Sequence, residues 1–224
     1  MIGQGVPSGG PRVINVAPVA DPEFRITRVQ QTLAMEDIHA SRDLITAVMQ
    51  GLGTSDFNPV VLDAVESILS AYEVIEGYAL RGVDLSREII KEIHWNVGRY
   101  SILSAGSFRD GQVWINGSKH TPPAWSDVPD LFSDMCYQLA QDTSAKPVMR
   151  AAWVHARTAW IHGFNDGNGR LARCLSDYEL IKAGFPPAVI PASKKKEYLD
   201  ALEAADQGYF LPLAHLLTLS LEGE

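Results

Sequence analysis

His162, Asp166, Arg170 and Arg173 fall within one short stretch, IHGFNDGNGRLAR, which runs from Ile161 to Arg173. Gly167, Asn168 and Gly169 separate the carboxylate from the first arginine. These residue types suit chemistry on a phosphate. An imidazole can take a proton from a hydroxyl near neutral pH. Glycines let an anion approach the backbone and permit the left-handed geometry of an anion nest. If a helix starts at Gly167–Gly169, its unpaired N–H groups and positive dipole end attract an anion. Arg170 and Arg173 stand at i and i+3, on one face of that helix. Two guanidiniums above such an end suit a polyphosphate better than a single phosphate. Asp166 adds a hard oxygen ligand where a Mg²⁺ ion bridging phosphates would sit.

Each feature alone has a plainer reading: a helix-end histidine, a tight turn, a solvated arginine face. The combination does not. Arginines at a positive helix end are unfavourable unless an anion compensates them, and the glycines provide that anion's place. Phosphoryl-type transfer asks for little beyond positioning, charge neutralisation and a base.

The elements that must position this stretch read as mostly helical. Apolar residues recur at helical spacing from Ile26 to Met49, with a break near His39–Arg42. Asn58 before Pro59 opens a helix to about Leu80, and Ser86 caps another through Ile89, Ile90 and Ile93. Ser126 or Asp127 opens a helix to about Gln141, and Pro147 lies in the first turn of the next, to about Trp160. The motif helix ends near Ala183 at GFPP, and two more follow at about 193–205 and 211–221. One segment breaks the texture. Val113, Trp114 and Ile115 stand between an Asp-Gly and an Asn-Gly pair, a pattern that predicts a short β-hairpin.

Composition sets outer bounds. The chain has 224 residues, 46% of them hydrophobic, enough for one core with a small appendage. A formal net charge of −8 argues against broad, sequence-independent nucleic-acid binding. No apolar run is long enough to span a bilayer, and the start lacks the pattern of a secretory signal. Cys136 and Cys174 share no metal-ligand spacing and read as reduced residues of a cytoplasmic protein. Residues 1–24 read as a Gly/Pro-rich arm, partly disordered or docked through Val13, Ile14 and Val16. A helical region over 25–80 and a catalytic core over 81–224 complete the expected organisation.

The stretch resembles the signature of the Fic (filamentation induced by cAMP) family, His-x-Phe-x-Asp/Glu-Gly-Asn-Gly-Arg-x-x-Arg. His162, Phe164, Asp166, Gly167, Asn168, Gly169, Arg170 and Arg173 all match. Gly163 departs from the proline usual after the histidine, which predicts a less rigid His162. The likeness extends to SFRDGQVWINGSKHTPP, similar to the family's flap, a hairpin that holds a target by strand addition at Val113, Trp114 and Ile115. It also extends to AGFPPAVIPASKKKEYLDALEAAD, similar to the segment that closes over the nucleotide base. There Tyr198 is either a base contact or a core residue, and Lys194–Lys196 a solvated face.

The resemblance implies a mainly α bundle with a hairpin flap, and a protein adenylyltransferase. ATP would bind on Gly167, Asn168, Gly169, Arg170 and Arg173, with Asn168 donating to the α-phosphate. Asp166 would hold Mg²⁺. His162 would activate a Ser, Thr or Tyr hydroxyl of a target protein, the chain itself included, and Phe164 would anchor the loop. The reverse reaction or transfer of another group on the same site, and a weakly active nucleotide-binding module, remain as alternatives. No nucleic acid or membrane partner is implied, and a homodimer is compatible.

Many family members also carry an inhibitory helix, Ser/Thr-x-x-x-Glu-Gly/Asn, whose glutamate pairs with the second motif arginine. Thr32 and Glu36 fit, with Asp37 in the last place. Glu76-Gly77 has Tyr72 at the Ser/Thr position and reads as a surface charge, while Thr218 to Gly223 fits at the chain end. Glu36 is the favoured candidate and Glu222 the second.

Overall fold

A computed structural model of the chain describes residues 17–142 and 144–222. Val13, Ile14, Val16 and Gly223 lie outside the described residues. The α-helices in chain order are α1 (Ala17–Ala20), α2 (Pro22–Ala34), α3 (Arg42–Gln50), α4 (Pro59–Ala79) and α5 (Arg87–Gly98), then α6 (Val128–Gln141), α7 (Pro147–Ile161), α8 (Asn168–Lys182), α9 (Lys195–Asp206) and α10 (Leu211–Glu222). The arm expected over residues 1–24 is therefore helical from Ala17. No helix among the described residues is long and apolar enough to cross a membrane.

Local chemistry sets several boundaries. Asn58 accepts from the N–H groups of Val60 and Val61 and opens α4, with Pro59 supplying a pre-set φ at the first turn. Ser86 does the same for α5 through Ile89 N–H. Ser41 caps α3, which explains the break in the first long apolar pattern.

α7 and α8 pack side by side with the Ile161–Arg173 stretch as their connection, and α4 and α5 lie against α8. The larger apolar cluster runs from Ile26 and Val29 of α2 through Ile68 and Ile75 of α4 and Ile90 and Ile93 of α5 to Leu175 of α8. A second cluster gathers Ala152, Leu180, Tyr198, Ala201, Leu213 and Leu217 from α7 to α10. Both faces of α8 are thus covered, and its long buried run follows from that position.

The expected β-hairpin is absent: residues 112–115 have no regular structure, 116 and 117 form a turn, and no strand occurs among the described residues. A lone pair of strands is marginal in water, and the return arm ends in Pro122 and Pro123, which lack the N–H needed for a ladder. Side chains join the two arms instead. Gln112 donates to the Pro122 carbonyl over 3.1 Å and Arg109 to the Pro123 carbonyl over 2.6 Å.

Glu76 also departs from expectation. It is buried, not a surface charge, and pairs with Arg25 at 2.5 Å and Arg28 at 3.0 Å. Arg28 continues to Asp177 of α8 at 2.7 Å and lies 3.4 Å over the Tyr72 ring. α2 is therefore fastened to α4 and α8 by a buried chain of charges. Burial lifts both carboxyls above their ordinary range, and the arginines draw them back only in part.

Candidate active site

The site is the loop between α7 and α8. His162 ends α7 in the left-handed conformation, φ 46° and ψ 52°. This is uncommon for a residue with a Cβ, and it turns the chain out of the helix. Burial pushes the imidazole down to about 4, a hydrogen bond to the Ala159 carbonyl opposes that, and the nearby Arg109 and His120 add to the depression. The ring is a free base at neutral pH, as acceptance of a proton requires.

Phe164 is fully buried and lies between Phe108, Phe132 and His94. The Asn168 amide bonds the same loop at both ends. Its oxygen accepts from Phe164 N–H at 3.0 Å and its nitrogen donates to the Phe164 carbonyl at 2.8 Å. The side chain thus staples the loop, while the backbone N–H of Asn168 stands at the helix start, where the expected donation to an α-phosphate would come from. Gly167, at φ 77°, precedes α8 as its cap, the conformation an anion nest needs. Asp166 keeps its side chain 73% exposed beside that start.

The two motif arginines take partners on different helices. Arg170 is buried, donates to the Val97 carbonyl of α5 at 3.3 Å, and its Nε has no acceptor within reach. Buried guanidinium donors left over in this way suit an anion. Arg173 turns toward α2. It donates to Thr32 Oγ1 at 2.7 Å, to the Thr32 carbonyl at 3.2 Å and to Glu36 Oε1 at 2.6 Å. That same Oε1 is 2.9 Å from where a Cβ on Gly169 would stand. A carboxylate oxygen thus lies against the glycine start of α8, where the sequence calls for an anion. Burial would raise the Glu36 carboxyl, but Arg173, Arg170 and Lys195 outweigh it and hold the group below its ordinary range.

Asp37 stands in the left-handed region, φ 59°, and bonds Lys195 through both carboxylate oxygens at 2.9 Å. Gly or Asn serves such a backbone best, and Asp tolerates it. The departure from Gly/Asn at this position leaves Glu36 in place. Lys195 is accordingly paired, not simply solvated. Glu222, the other inhibitory candidate, makes no ion pair among the described residues.

Tyr198 is placed in the second apolar cluster, 4% exposed, with its hydroxyl 2.9 Å from His155 Nε2. Of its two expected places, the structure has it in the core rather than open to a nucleotide base. Trp114, by contrast, is 79% exposed between half-buried Val113 and Ile115, and so free to meet another chain.

Two positioning residues escaped the motif. Arg109 is buried, and its side chain donates to the carbonyls of His162 at 2.9 Å, Gly111 at 2.9 Å and Pro123 at 2.6 Å, while its backbone N–H donates to the Gly163 carbonyl. One residue thereby ties the base of the 111–117 segment to the loop between α7 and α8. His94 stacks on Phe164 with centroids 3.6 Å apart. Gly106 N–H donates to its Nδ1, so Nε2 carries the proton and donates to the Asp166 carbonyl at 2.8 Å. Only their setting could have signalled them: His94 sits on the apolar face of α5 with Ile90, Ile93 and Val97, and Arg109 directly precedes a turn pair.

Gly163 has a steric explanation. A Cβ there would come 2.4 Å from Phe132 Cε2 and 2.9 Å from Val128 Cγ1. The Phe132 ring fills the space that a proline would need, and Arg109 fastens the carbonyls on both sides of the loop bend. His162 is therefore held by hydrogen bonds in place of a rigid ring. Gly163→Ala should lower unfolding stability by about 1–3 kcal/mol through overpacking, read in denaturant titrations, and adding Phe132→Leu should recover part of the loss.

Residues 84–180 match the model of the Fic/DOC family. Over that span the chain is a member of the family. The relative called Protein adenylyltransferase Fic from Drosophila grimshawi is 32% identical over 150 residues, which is 66% of this chain and 31% of the relative. The chain spans about a third of the length of the curated relatives it matches. The solved structure of Fic-1 (residues 134–508) from C. elegans superimposes with a TM-score of 0.80 at 26% identity, covering 90% of this chain and 61% of that one. A Fic-domain signaling protein from Bacteroides thetaiotaomicron, at 20% identity and a TM-score of 0.78 over 90% of this chain and 87% of that one, shares the fold.

Proposed function

We propose that this chain is a protein adenylyltransferase, moving AMP from ATP to a hydroxyl of a target protein, and that Glu36 holds it in check. The carrying observation is the carboxylate oxygen of Glu36 lodged against Gly169 and Arg173, an anion already bound where ATP phosphates would lie. The names of the relatives support the donor and the reaction.

In this reading the target hydroxyl donates its proton to His162. Its oxygen attacks the α-phosphorus, the bond from that phosphorus to the bridging oxygen breaks, and pyrophosphate leaves with that electron pair. The helix start at Gly167–Gly169 and the spare donor of Arg170 stabilise the charge that builds on the phosphates. Arg173 is available to them once Glu36 moves aside. Asp166 would hold Mg²⁺, its carboxylate being exposed beside the helix start; such a cation is held largely by phosphates and water. When bound it would neutralise phosphate charge. Arg109 and His94 hold the loop carbonyls, and through them the position of His162. The flap residues Val113, Trp114 and Ile115 await an extended target segment that would supply the missing strand partner.

Intact-mass measurement after incubation with Mg·ATP tests the proposal, with the chain itself as the first target offered. A mass gain of one AMP supports it. Unchanged mass for the chain and for Glu36→Gly, despite nucleotide binding, would favour a binding module instead.

The His162 imidazole sets the acid limb of the rate. It is the free base above about 4, so kcat/KM of Glu36→Gly should stay level from pH 8 down to about 5 and fall only below that. An inflection near the ordinary histidine value of about 6.5 would contradict the placement of this residue.

A further inference from the structure

The last carbonyls of a helix have no acceptor role inside it and need partners from outside the ladder. In α7 these carbonyls lie directly ahead of His162. The Thr158 carbonyl accepts from the His162 N–H at 3.1 Å. The Trp160 carbonyl is taken by a side chain from elsewhere: His120 Nε2 lies 2.8 Å from it, across 40 residues of sequence. A carbonyl only accepts, so Nε2 carries the proton and His120 donates. The His120 ring also packs on the Trp160 indole, with centroids 5.6 Å apart and the planes tilted by 34°. Arg157 lies 4.3 Å from the same indole centroid.

This contact matters because no strand ladder holds the segment before it. Residues 112–121 are otherwise bonded locally. Ser118 N–H donates to the Ile115 carbonyl, His120 N–H to Ser118 Oγ, and Gln112 to the Pro122 carbonyl. Among the described residues, the His120 ring makes the one hydrogen bond from 112–121 to a residue outside 109–123. Lys119 approaches Glu203 of α9 only to 3.8 Å, with both side chains exposed, and such a pair contributes little. Arg109 fastens the entry side of the segment to the carbonyls of His162 and Gly163. His120 fastens the return side to Trp160, two residues before His162. The segment therefore straddles the end of α7, with exposed Trp114 between its two anchors. Without the second anchor it could swing about Arg109.

We infer that His120 is a positioning residue, which locks the return side of the 111–121 segment to the helix that ends in His162. A target hydroxyl presented along Val113–Ile115 would then arrive at a set distance from the base. The inference rests on the transfer reading of the site. His120 itself touches neither nucleotide nor target.

The test uses Glu36→Gly as parent and the chain itself as acceptor. His120→Ala should lower AMP incorporation from labelled ATP by about 10- to 100-fold, the scale of loss when reacting groups are slightly misplaced. Calorimetric binding of Mg·ATP should stay within about twofold, because the phosphate donors belong to the start of α8. His120→Gln, whose amide can still donate to the Trp160 carbonyl, should restore most of the incorporation. Hydrogen–deuterium exchange should quicken over residues 111–121 in His120→Ala and stay at the parent's rate in α4 and α5, which separates a freed segment from a loosened fold. Unchanged incorporation or unchanged exchange over 111–121 in His120→Ala would overturn the inference, as would equal losses for His120→Ala and His120→Gln. A parent that binds Mg·ATP but incorporates no AMP would instead overturn the transfer reading on which the inference stands.

Discussion

Glu36→Gly is expected to raise the rate of AMP incorporation by about 10- to 100-fold over the unaltered chain. The carboxylate makes a charge-assisted contact of 2.6 Å with Arg173 and sits beside Gly169. A hydrogen bond between charged groups contributes roughly 1.5–3 kcal/mol, and each 1.4 kcal/mol is a factor of ten. ATP must displace that contact before its phosphates can use Arg173, so the cost falls on productive binding and disappears with the carboxylate. The fold should tolerate the change, because Glu36 lies in the turn after α2 and its side chain is 36% exposed. Labelled ATP and gel autoradiography read the result. Glu222→Gly serves as the comparison and should leave the rate where it was. Equal rates for Glu36→Gly and the unaltered chain would remove Glu36 from any inhibitory role.

His162→Ala in the Glu36→Gly background should reduce incorporation by about 10²- to 10⁴-fold, the usual contribution of a positioned general base. The left-handed backbone complicates this variant, since alanine at φ 46° is strained. His162→Asn is the better partner experiment: asparagine accepts that backbone and cannot serve as the base. Both variants should lose turnover, while Mg·ATP binding stays within a few-fold, because the phosphate donors belong to α8. A variant that kept its turnover would mean that another group accepts the target's proton.

The sequence made some of this legible and hid the rest for physical reasons. Gly167, Asn168, Gly169 and the arginines could be read because their chemistry is written in spacing along one helix start. Thr32 and Glu36 could be reached only through family resemblance, as they meet Arg173 from 137 residues or more away. The burial of Glu76 is not legible, because helical periodicity says nothing about Arg28, 48 residues distant, which makes that burial tolerable. The flap misled because turn pairs and β-branched residues mark a strand but cannot supply the second one. Arg109 and His94 act on backbone carbonyls that only the folded loop brings to them.

The buried charge chain from Arg25 and Arg28 through Glu76 to Asp177 has a consequence for the scale of regulation. Lifting α2 away would strand Glu76 and Asp177 beneath the surface without their cations, and breaking one such buried pair typically costs about 3–5 kcal/mol. A signal that worked by undocking the helix would have to supply that and would put the fold itself at risk. A rotation of the Glu36 side chain disturbs none of these ion pairs. On the proposed reading of Glu36, control therefore needs only a single carboxylate to move while α2 stays seated, a switch with the footprint of one rotamer.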